Sequence, residues 1–364
     1  MNIFELNNVK RDTEIVNAQL QPHSPVVEVF AAMVNGESLE RFGVKADKCV
    51  EYIKTLGTRA SNGDGLAISE LNAIRRFVIE APIMQEMRLL SIFGSYQNVG
   101  FDETIEREIY KFVGERSREQ AAGGDVVFPA RVKETYPVPT FTVSGGYEVD
   151  YRKVELGDMS KENEGLAQVR TDIMNRAKAK IVKKVYDAVD NATGVTYHFS
   201  GSGLTKSGVD GVLKSVRRFG RPTIIGDYAM VSQLNDFAGY YSQVATNTFI
   251  TGISEKIMNE IQMNGLLGMY NGAVVSELEN PYDEYKLNSD GSDFVTLFPA
   301  NLAFVIPAGG KSPIATYTRG GLTSLSGNDV KTGKLITRFD IEVGCDVAKG
   351  QEYMIGILHD EDIE

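Results

Sequence analysis

SKENEGLAQVRTDIMNRAKAKIVKKVYDAVDNATG, residues 160–194, is the stretch around which the rest of the chain is read. Leu166, Val169, Ile173, Ala177, Ile181, Val185 and Val189 recur at spacings of three and four, which places them on one stripe of a helix. Glu162 and Glu164 near the start and Lys183 and Lys184 toward the end suit the helix dipole, and Gly194 offers a stop. At about 1.5 Å of rise per residue, Leu166 to Val189 spans roughly 35 Å, long for a helix of a globular protein. A helix of that length can serve as a backbone for two regions.

Downstream of it, from Tyr197 to about Leu322, helical and strand patterns alternate as in an α/β domain. SGVDGVLKSVRRFG reads as a helix, PTIIG as a strand, and DYAMVSQLNDF and ISEKIMNEIQMNG as helices. GAVVSEL, DFVTLF, LAFVIP and IATYTR read as short strands. KLITRFDIEVGCDV and QEYMIGILHDED read as two more, expected to pair with the base of the long helix or with the segment that precedes it.

Upstream, residues 98–157 combine VGFDETIEREIYKFVGE, a polar tip RSREQAAGGD, and a Val-, Tyr-, Thr- and Phe-rich return. Tyr147, Val149 and Tyr151 alternate with charged residues, while Pro129, Pro137 and Pro139 sit where an edge or irregular strand tolerates them. The pattern predicts a long two-stranded excursion. A lone hairpin is marginal in water, so so many apolar residues on one imply packing against a neighbouring subunit. Residues 1–65 read as an arm with one modest helix from about Lys45 to Leu56, its face formed by Val44, Cys49, Tyr52, Ile53 and Leu56, followed by an exposed loop in TRASNGDGLA. A second helix begins near Ile68, with Pro82 expected to interrupt it before an extended exit.

Composition narrows the function. The chain has 364 residues, a length that suggests two to three domains at roughly 150 residues each. With 38 Lys and Arg against 49 Asp and Glu it is acidic, which argues against a dedicated nucleic-acid reader. The two cysteines are too far apart and too few for a disulfide framework or a Cys-rich metal site. No apolar run suits a membrane span and the N-terminus lacks a signal-peptide pattern, so a soluble intracellular product without membrane association is expected.

Motifs that could carry chemistry fall short. GGKS at residues 309–312 ends like a phosphate-binding loop, yet Val305 stands where its first glycine belongs and a strand pattern follows. GSG at residues 201–203 has Lys206 in place of the third glycine of a dinucleotide fingerprint. NSDGSD at residues 288–293 would put Lys286 and Leu297 at calcium-ligand positions, so it reads as a turn. No nucleophile elbow exists, and His23, His198 and His359 have no partner in sequence. The basic residues Arg170, Arg176, Lys180, Lys183 and Lys184 read as a solvated helix face or as a face lying near nucleic acid. What remains is an inventory of structural parts that maximise contact between copies.

In the order of those parts, and in GDMSKENEGLAQVRTDIMNRAKAKIVKKVYDAV, RPTIIGDYAMVSQLND, FVTLFPANLAFVIPAG and KLITRFDIEVGCDVAKGQEYMIGIL, the chain resembles major capsid proteins of tailed bacteriophages with the Hong Kong 97 fold. The resemblance implies an α+β fold with an N-terminal arm and helix (1–97), an extended β-hairpin E-loop (98–154), a P-domain spine helix (155–196), an α/β A domain (197–330) and returning P-domain strands (331–364). It implies pentamers and hexamers of the same chain in an icosahedral head that encloses double-stranded DNA, in the virion capsid after assembly in the host cytoplasm. No catalytic, cofactor or metal residue is implied. The arm is shorter than in relatives that carry their own scaffolding region, so a separate scaffolding protein, a portal and decoration proteins are the expected partners. Arg116, Arg118, Phe128, Tyr136, Val138 and Phe141 are the candidate assembly contacts, with the apolar four expected to be exposed in the isolated subunit. Lys111, Lys133 and Asn163 do not mark the crosslinking set that some relatives use. The competing readings are an encapsulin-like bacterial nanocompartment shell and, in another class, an α/β enzyme with an unidentified interdomain site.

Overall fold

The computed structural model describes residues 24–363, apart from 36, 115–118, 120–121, 123, 125–127, 129, 151–159, 238–262, 264, 309–311, 330 and 333. In chain order the elements are α1 (Pro25–Val34), α2 (Val44–Ser61), α3 (Gly65–Leu89), β1 (Ser95–Val99), β2 (Glu106–Val113), β3 (Ala130–Pro137), β4 (Thr140–Asp150) and α4 (Ser160–Asp190). There follow β5 (Tyr197–Gly201), α5 (Lys206–Val216), β6 (Pro222–Gly226), α6 (Tyr228–Val231), β7 (Met269–Tyr270), β8 (Ala273–Glu277), β9 (Tyr282–Leu287) and β10 (Phe294–Thr296). The last are β11 (Leu302–Pro307), β12 (Ile314–Asp329), β13 (Lys334–Val347) and β14 (Gly356–Asp360). Two compact units result, one of Met1–Leu90, Phe141–Lys178 and Thr318–Val343, the other of Ser91–Thr140, Ala179–Tyr317 and Gly344–Glu364.

The first unit starts with three packed helices: α2 and α3 stand where the sequence suggests helices, and α1 is an addition within what reads as an arm. Pro25 sits in the first turn of α1, where its missing N–H costs nothing, and Glu28 favours the positive end of the dipole. Valines are modest helix formers, but burying Val26, Val27, Val29 and Phe30 outweighs that preference. In α2 the expected face holds for Cys49, Tyr52, Ile53 and Leu56, all buried, while Val44 is 75% exposed. The exposed loop shrinks to three residues: α2 runs to Ser61, and Asp64 caps α3 by accepting from the N–H groups of Leu66 and Ala67 at 3.0 and 3.4 Å. Arg59 pairs with the same carboxylate at 2.6 Å and holds its pKa below the usual range, chiefly through that hydrogen bond. Nor does Pro82 end the helix. Ile79 and Ile83 are buried on either side of it, so packing outweighs the one backbone bond the proline cannot donate.

The long helix α4 forms as the sequence predicts. All seven stripe residues, Leu166 to Val189, are buried. Its first-unit part lies close on β4 because glycines face the opposing side chains. A Cβ on Gly165 would meet the Tyr147 ring at 2.9 Å, and one on Gly145 would meet Val169 and Ile173 at 3.0 Å. β4 is an edge of the four-stranded sheet β1-β12-β13-β4, in which Tyr147 stacks on Phe339 at 6.3 Å.

The second unit is organised on a six-stranded sheet, β5-β14-β11-β6-β8-β7, with β14 parallel to β5 and antiparallel to β11. Val209, Val212, Leu213 and Val216 of α5 pack with Ile224, Val305 and Leu358 into its core. The placement of β14 corrects the sequence reading, which pairs QEYMIGILHDED with the long helix or the excursion. Ile357 and Leu358 are adjacent, so their side chains point to opposite faces, and both are buried; only the interior of a covered sheet supplies that. β13 does lie next to β4, as the sequence suggests.

Also in the second unit, β2 and β3 form a separate two-stranded antiparallel ribbon in unbroken register from Glu106↔Pro137 to Val113↔Ala130. β9 and β10 form another small antiparallel pair. Most of ISEKIMNEIQMNG lies outside the described residues; of DYAMVSQLNDF, Tyr228–Val231 form α6 and residues 234–237 are helical again after a turn.

Candidate assembly surface

The base of the β2–β3 ribbon is fixed by a half-buried polar network. Arg107 on β2 donates to Asp346 Oδ2 at 3.0 Å, to the Asp346 carbonyl at 2.9 Å and to the Pro313 carbonyl at 2.6 Å. Tyr136 on β3 donates its hydroxyl to the same Asp346 oxygen at 2.7 Å. The Lys349 ammonium lies 4.4 Å from the centre of the Tyr136 ring. Burial, reinforced by the bond to Asp346, pushes the Tyr136 hydroxyl pKa well up, so it stays a donor at any physiological pH. Beneath this network Ile109 and Tyr136 pack with Ala348, and Val138 packs with Ile105, Ala315 and Tyr317.

Beyond the base the ribbon has no further strand on either edge among the described residues. Tyr110, Val113 and Val132 are exposed on it, and Phe128 near its tip is 86% exposed. The Arg131 guanidinium lies 3.7 Å from the centre of the Tyr110 ring, and Lys133 reaches Glu108 across the strands at 2.5 Å. Hydrogen bonding to Lys133 lowers the Glu108 pKa, and the same bond raises that of Lys133. Apolar area is therefore held out on a stiffened pair of strands.

Of the candidate contacts read from sequence, Phe128 is open to solvent and Phe141 half-buried. Tyr136 and Val138 are not exposed: at 8% and 6% exposure they anchor the ribbon to its own chain. Alternation cannot distinguish the base of a ribbon from its free part, which explains the difference. Arg116 and Arg118 lie outside the described residues.

The β9–β10 pair is a surface of which the sequence reading has the turn and β10 but not β9. Tyr285 is 85% exposed, and Tyr282, Leu287, Phe294 and Val295 are exposed with it. Its signal was present in YDEYKLNSDGSDFV, an Asn/Asp/Gly turn between apolar-polar runs. NSDGSD is that turn: Asn288 Oδ1 accepts from the N–H groups of Ser292 and Asp293 at 3.0 and 3.3 Å, and Gly291 takes a φ of +70°.

Polar clusters elsewhere have the geometry of structure. His198 and His359 lie on paired strands with ring centres 6.4 Å apart. Burial first, and then His359, lowers the His198 pKa. His359 Nδ1 is 2.9 Å from Ser200 Oγ, whose hydroxyl donates to Glu361 at 2.8 Å. Serine thus stands between imidazole and carboxylate, whereas activating a serine needs the imidazole in the middle. The GSG turn is tied down by Gly203 N–H donating to Asp360 at 2.8 Å. Of GGKS only Ser312 is described, donating to the Phe93 carbonyl at 2.6 Å. Among the described residues no group of three or more His, Cys, Asp or Glu could hold a metal ion, and no helix is long and apolar enough to cross a membrane.

A family model described as the SPbeta prophage-derived putative capsid protein YonB matches residues 5–359. No curated protein sequence matches the chain. Among solved structures, similarity extends to Microbacterium phage Oxtober96, at 6% identity and a TM-score of 0.49 over 74% of this chain and 91% of that one. It extends also to the acidic stable capsid of Helicobacter pylori bacteriophage KHP30, at 11% identity and a TM-score of 0.48 over 74% and 89%. The virus-like particle from Pyrococcus furiosus is similar at 10% identity and a TM-score of 0.43 over 77% and 97%.

Proposed function

We infer the mode of action from one premise: the chain belongs to the family of the SPbeta prophage-derived putative capsid protein YonB, and so is a structural protein of a phage capsid. In our reading it is a Hong Kong 97-like major capsid subunit, with α4 as the spine, the six-stranded sheet as the core of the A domain, and the β2–β3 ribbon as the E-loop, narrower than the 98–154 expected from sequence because β4 joins the sheet of β13 instead. The observation that carries this reading is the ribbon: anchored at its base by Arg107, Asp346 and Tyr136, it leaves Tyr110, Val113, Phe128 and Val132 uncovered. Exposed apolar side chains on a stiff two-stranded element are unfavourable in water and favourable under a neighbour. Copies of the chain would then cover one another's ribbons as pentamers and hexamers, with contacts of modest strength multiplied by symmetry.

In such a head double-stranded DNA is confined rather than gripped, since 49 acidic against 38 basic residues give a mean field that repels phosphate. A scaffolding protein, a portal and decoration proteins complete the assembly, which takes place in the host cytoplasm. Deleting Arg116 to Gly124 tests the role of the ribbon. The deleted protein should keep the melting behaviour of the wild type and fail to form closed particles; normal particles would rule out a clamp at the tip.

A further inference from the structure

Three arginines within five residues, Arg217, Arg218 and Arg221, have no carboxylate partner among the described residues. Several other arginines do pair with acids: Arg41 with Glu37, Arg59 with Asp64, Arg107 with Asp346, Arg319 with Glu342 and Arg338 with Asp340. In a chain with a net charge of -11, an unneutralised cluster of this kind calls for an external anion. Two of the three are also held in place. Arg217 Nη1 donates to the Asn271 carbonyl at 3.1 Å, and Arg221 Nε donates to the next carbonyl, Gly272, at 3.2 Å. Together with Gly220 and Gly272 they line an open pocket of about 430 Å³. Gly272 turns at a φ of +80°, and a Cβ there would lie 3.4 Å from both terminal nitrogens of Arg217, so the glycine lets the guanidinium lie against the backbone. Each of these two guanidiniums uses one N–H on a carbonyl, Arg221 Nη2 also donates to Met269 Sδ at 3.8 Å, and the remaining N–H groups can form a fork toward an oxyanion.

The matching anion lies on the same sheet. β7 and β5 are its opposite edges. The pairings Pro307↔Pro222 and Asp360↔Gly201, together with Val305↔Gly356, put Arg221 at one end of the strands and Glu361 at the other. At that far corner Glu361 and Asp362 are exposed, touched by Ser200 at 2.8 Å and Ser202 at 2.6 Å, with no cationic partner among the described residues. We propose that the Arg217–Arg221 pocket of one copy receives the Glu361 and Asp362 carboxylates of a second copy, a head-to-tail contact between diagonally opposite corners of the sheet. Such a contact is heterologous, uses both corners of every copy, and closes into a ring when the rotation between copies allows it. It deepens the capsid reading and rests on it for the second copy.

Charge reversal with rescue tests the contact in the full-length protein. Arg217→Glu with Arg221→Glu, and separately Glu361→Arg with Asp362→Arg, should each weaken self-association by about tenfold or more in sedimentation velocity, since each places like charges together. The protein carrying all four changes should recover to within about threefold of the wild type, which a folding defect would not do. Wild-type association by either double variant would overturn the proposal. So would normal particles from the arginine variant that enclose less nucleic acid, because the pocket would then serve phosphate. Rescue among oligomers that never close into shells would uphold the contact and refute the shell reading; a chain that stays monomeric at every concentration would refute both.

Discussion

Asp346→Ala removes the acceptor that Arg107 and Tyr136 share at the base of the ribbon. Both partners of the ion pair are only 14% exposed, so water replaces the lost carboxylate poorly. Breaking a buried pair by removing one partner costs about 3–5 kcal/mol. Arg107 keeps its bonds to the Asp346 and Pro313 carbonyls, which pulls the cost toward the lower end. Orphaning the Tyr136 hydroxyl adds about 1 kcal/mol, though the two losses share one carboxylate and do not simply add. A loss of about 3 kcal/mol follows, and at a urea slope of about 2 kcal/mol per molar it moves the midpoint by roughly 1.5 M. Asp346→Asn, which keeps an acceptor for Tyr136 but no charge, should fall between the alanine variant and the wild type. Amide exchange should show the loss first in β2 and β3. An alanine variant within about 0.5 kcal/mol of the wild type, the range of ordinary surface changes, would refute the anchoring role of this network.

Ile181→Asp would bury a charge on the stripe of α4 at a cost of several kcal/mol, and the protein should fail to fold, whereas Lys183→Ser with Lys184→Ser should remain within about 0.5 kcal/mol; a soluble, folded Ile181→Asp protein would contradict the burial of that face. Glu70 is buried, accepts from the Tyr52 hydroxyl, and has its pKa raised above the ordinary carboxyl value chiefly by burial. The folded chain therefore holds a proton more tightly there than the unfolded one, so this group lowers stability as pH rises from about 4.3 through the raised pKa. Glu70→Gln should flatten that part of the stability profile and be the more stable protein at pH 7; an unchanged slope would mean that another group sets it. In a titration at physiological salt, isolated subunits should bind DNA weakly, without sequence preference and with strong salt dependence, and nanomolar sequence-selective binding would contradict confinement.

The long helix was legible because its stripe repeats through seven positions, enough to fix both its period and its buried face. The ribbon was legible as strands, but its division into anchored base and free part was not. That division depends on Asp346 and Ala348, more than 200 residues beyond β3 in sequence. The helix Pro25–Val34 was hidden by its valines and by the turn formers before it, because burial decided its state and propensity did not. The same holds for Pro82, whose local signal to stop was overridden by Ile79 and Ile83. β14 reads as a strand, but nothing local tells a strand which neighbours it will have. The unpaired arginines are adjacent in sequence and stood out only once the acids elsewhere had found their partners.

The most direct measurement is electron microscopy of the purified full-length protein over a rising concentration series, with reconstruction of any particle formed. Closed icosahedral shells built from pentamers and hexamers, with the β2–β3 ribbon of each copy lying over a neighbour and covering Tyr110, Val113 and Val132, are the expected result. A protein that remains a dispersed monomer at every concentration, or particles in which those side chains stay open to solvent, would contradict the account.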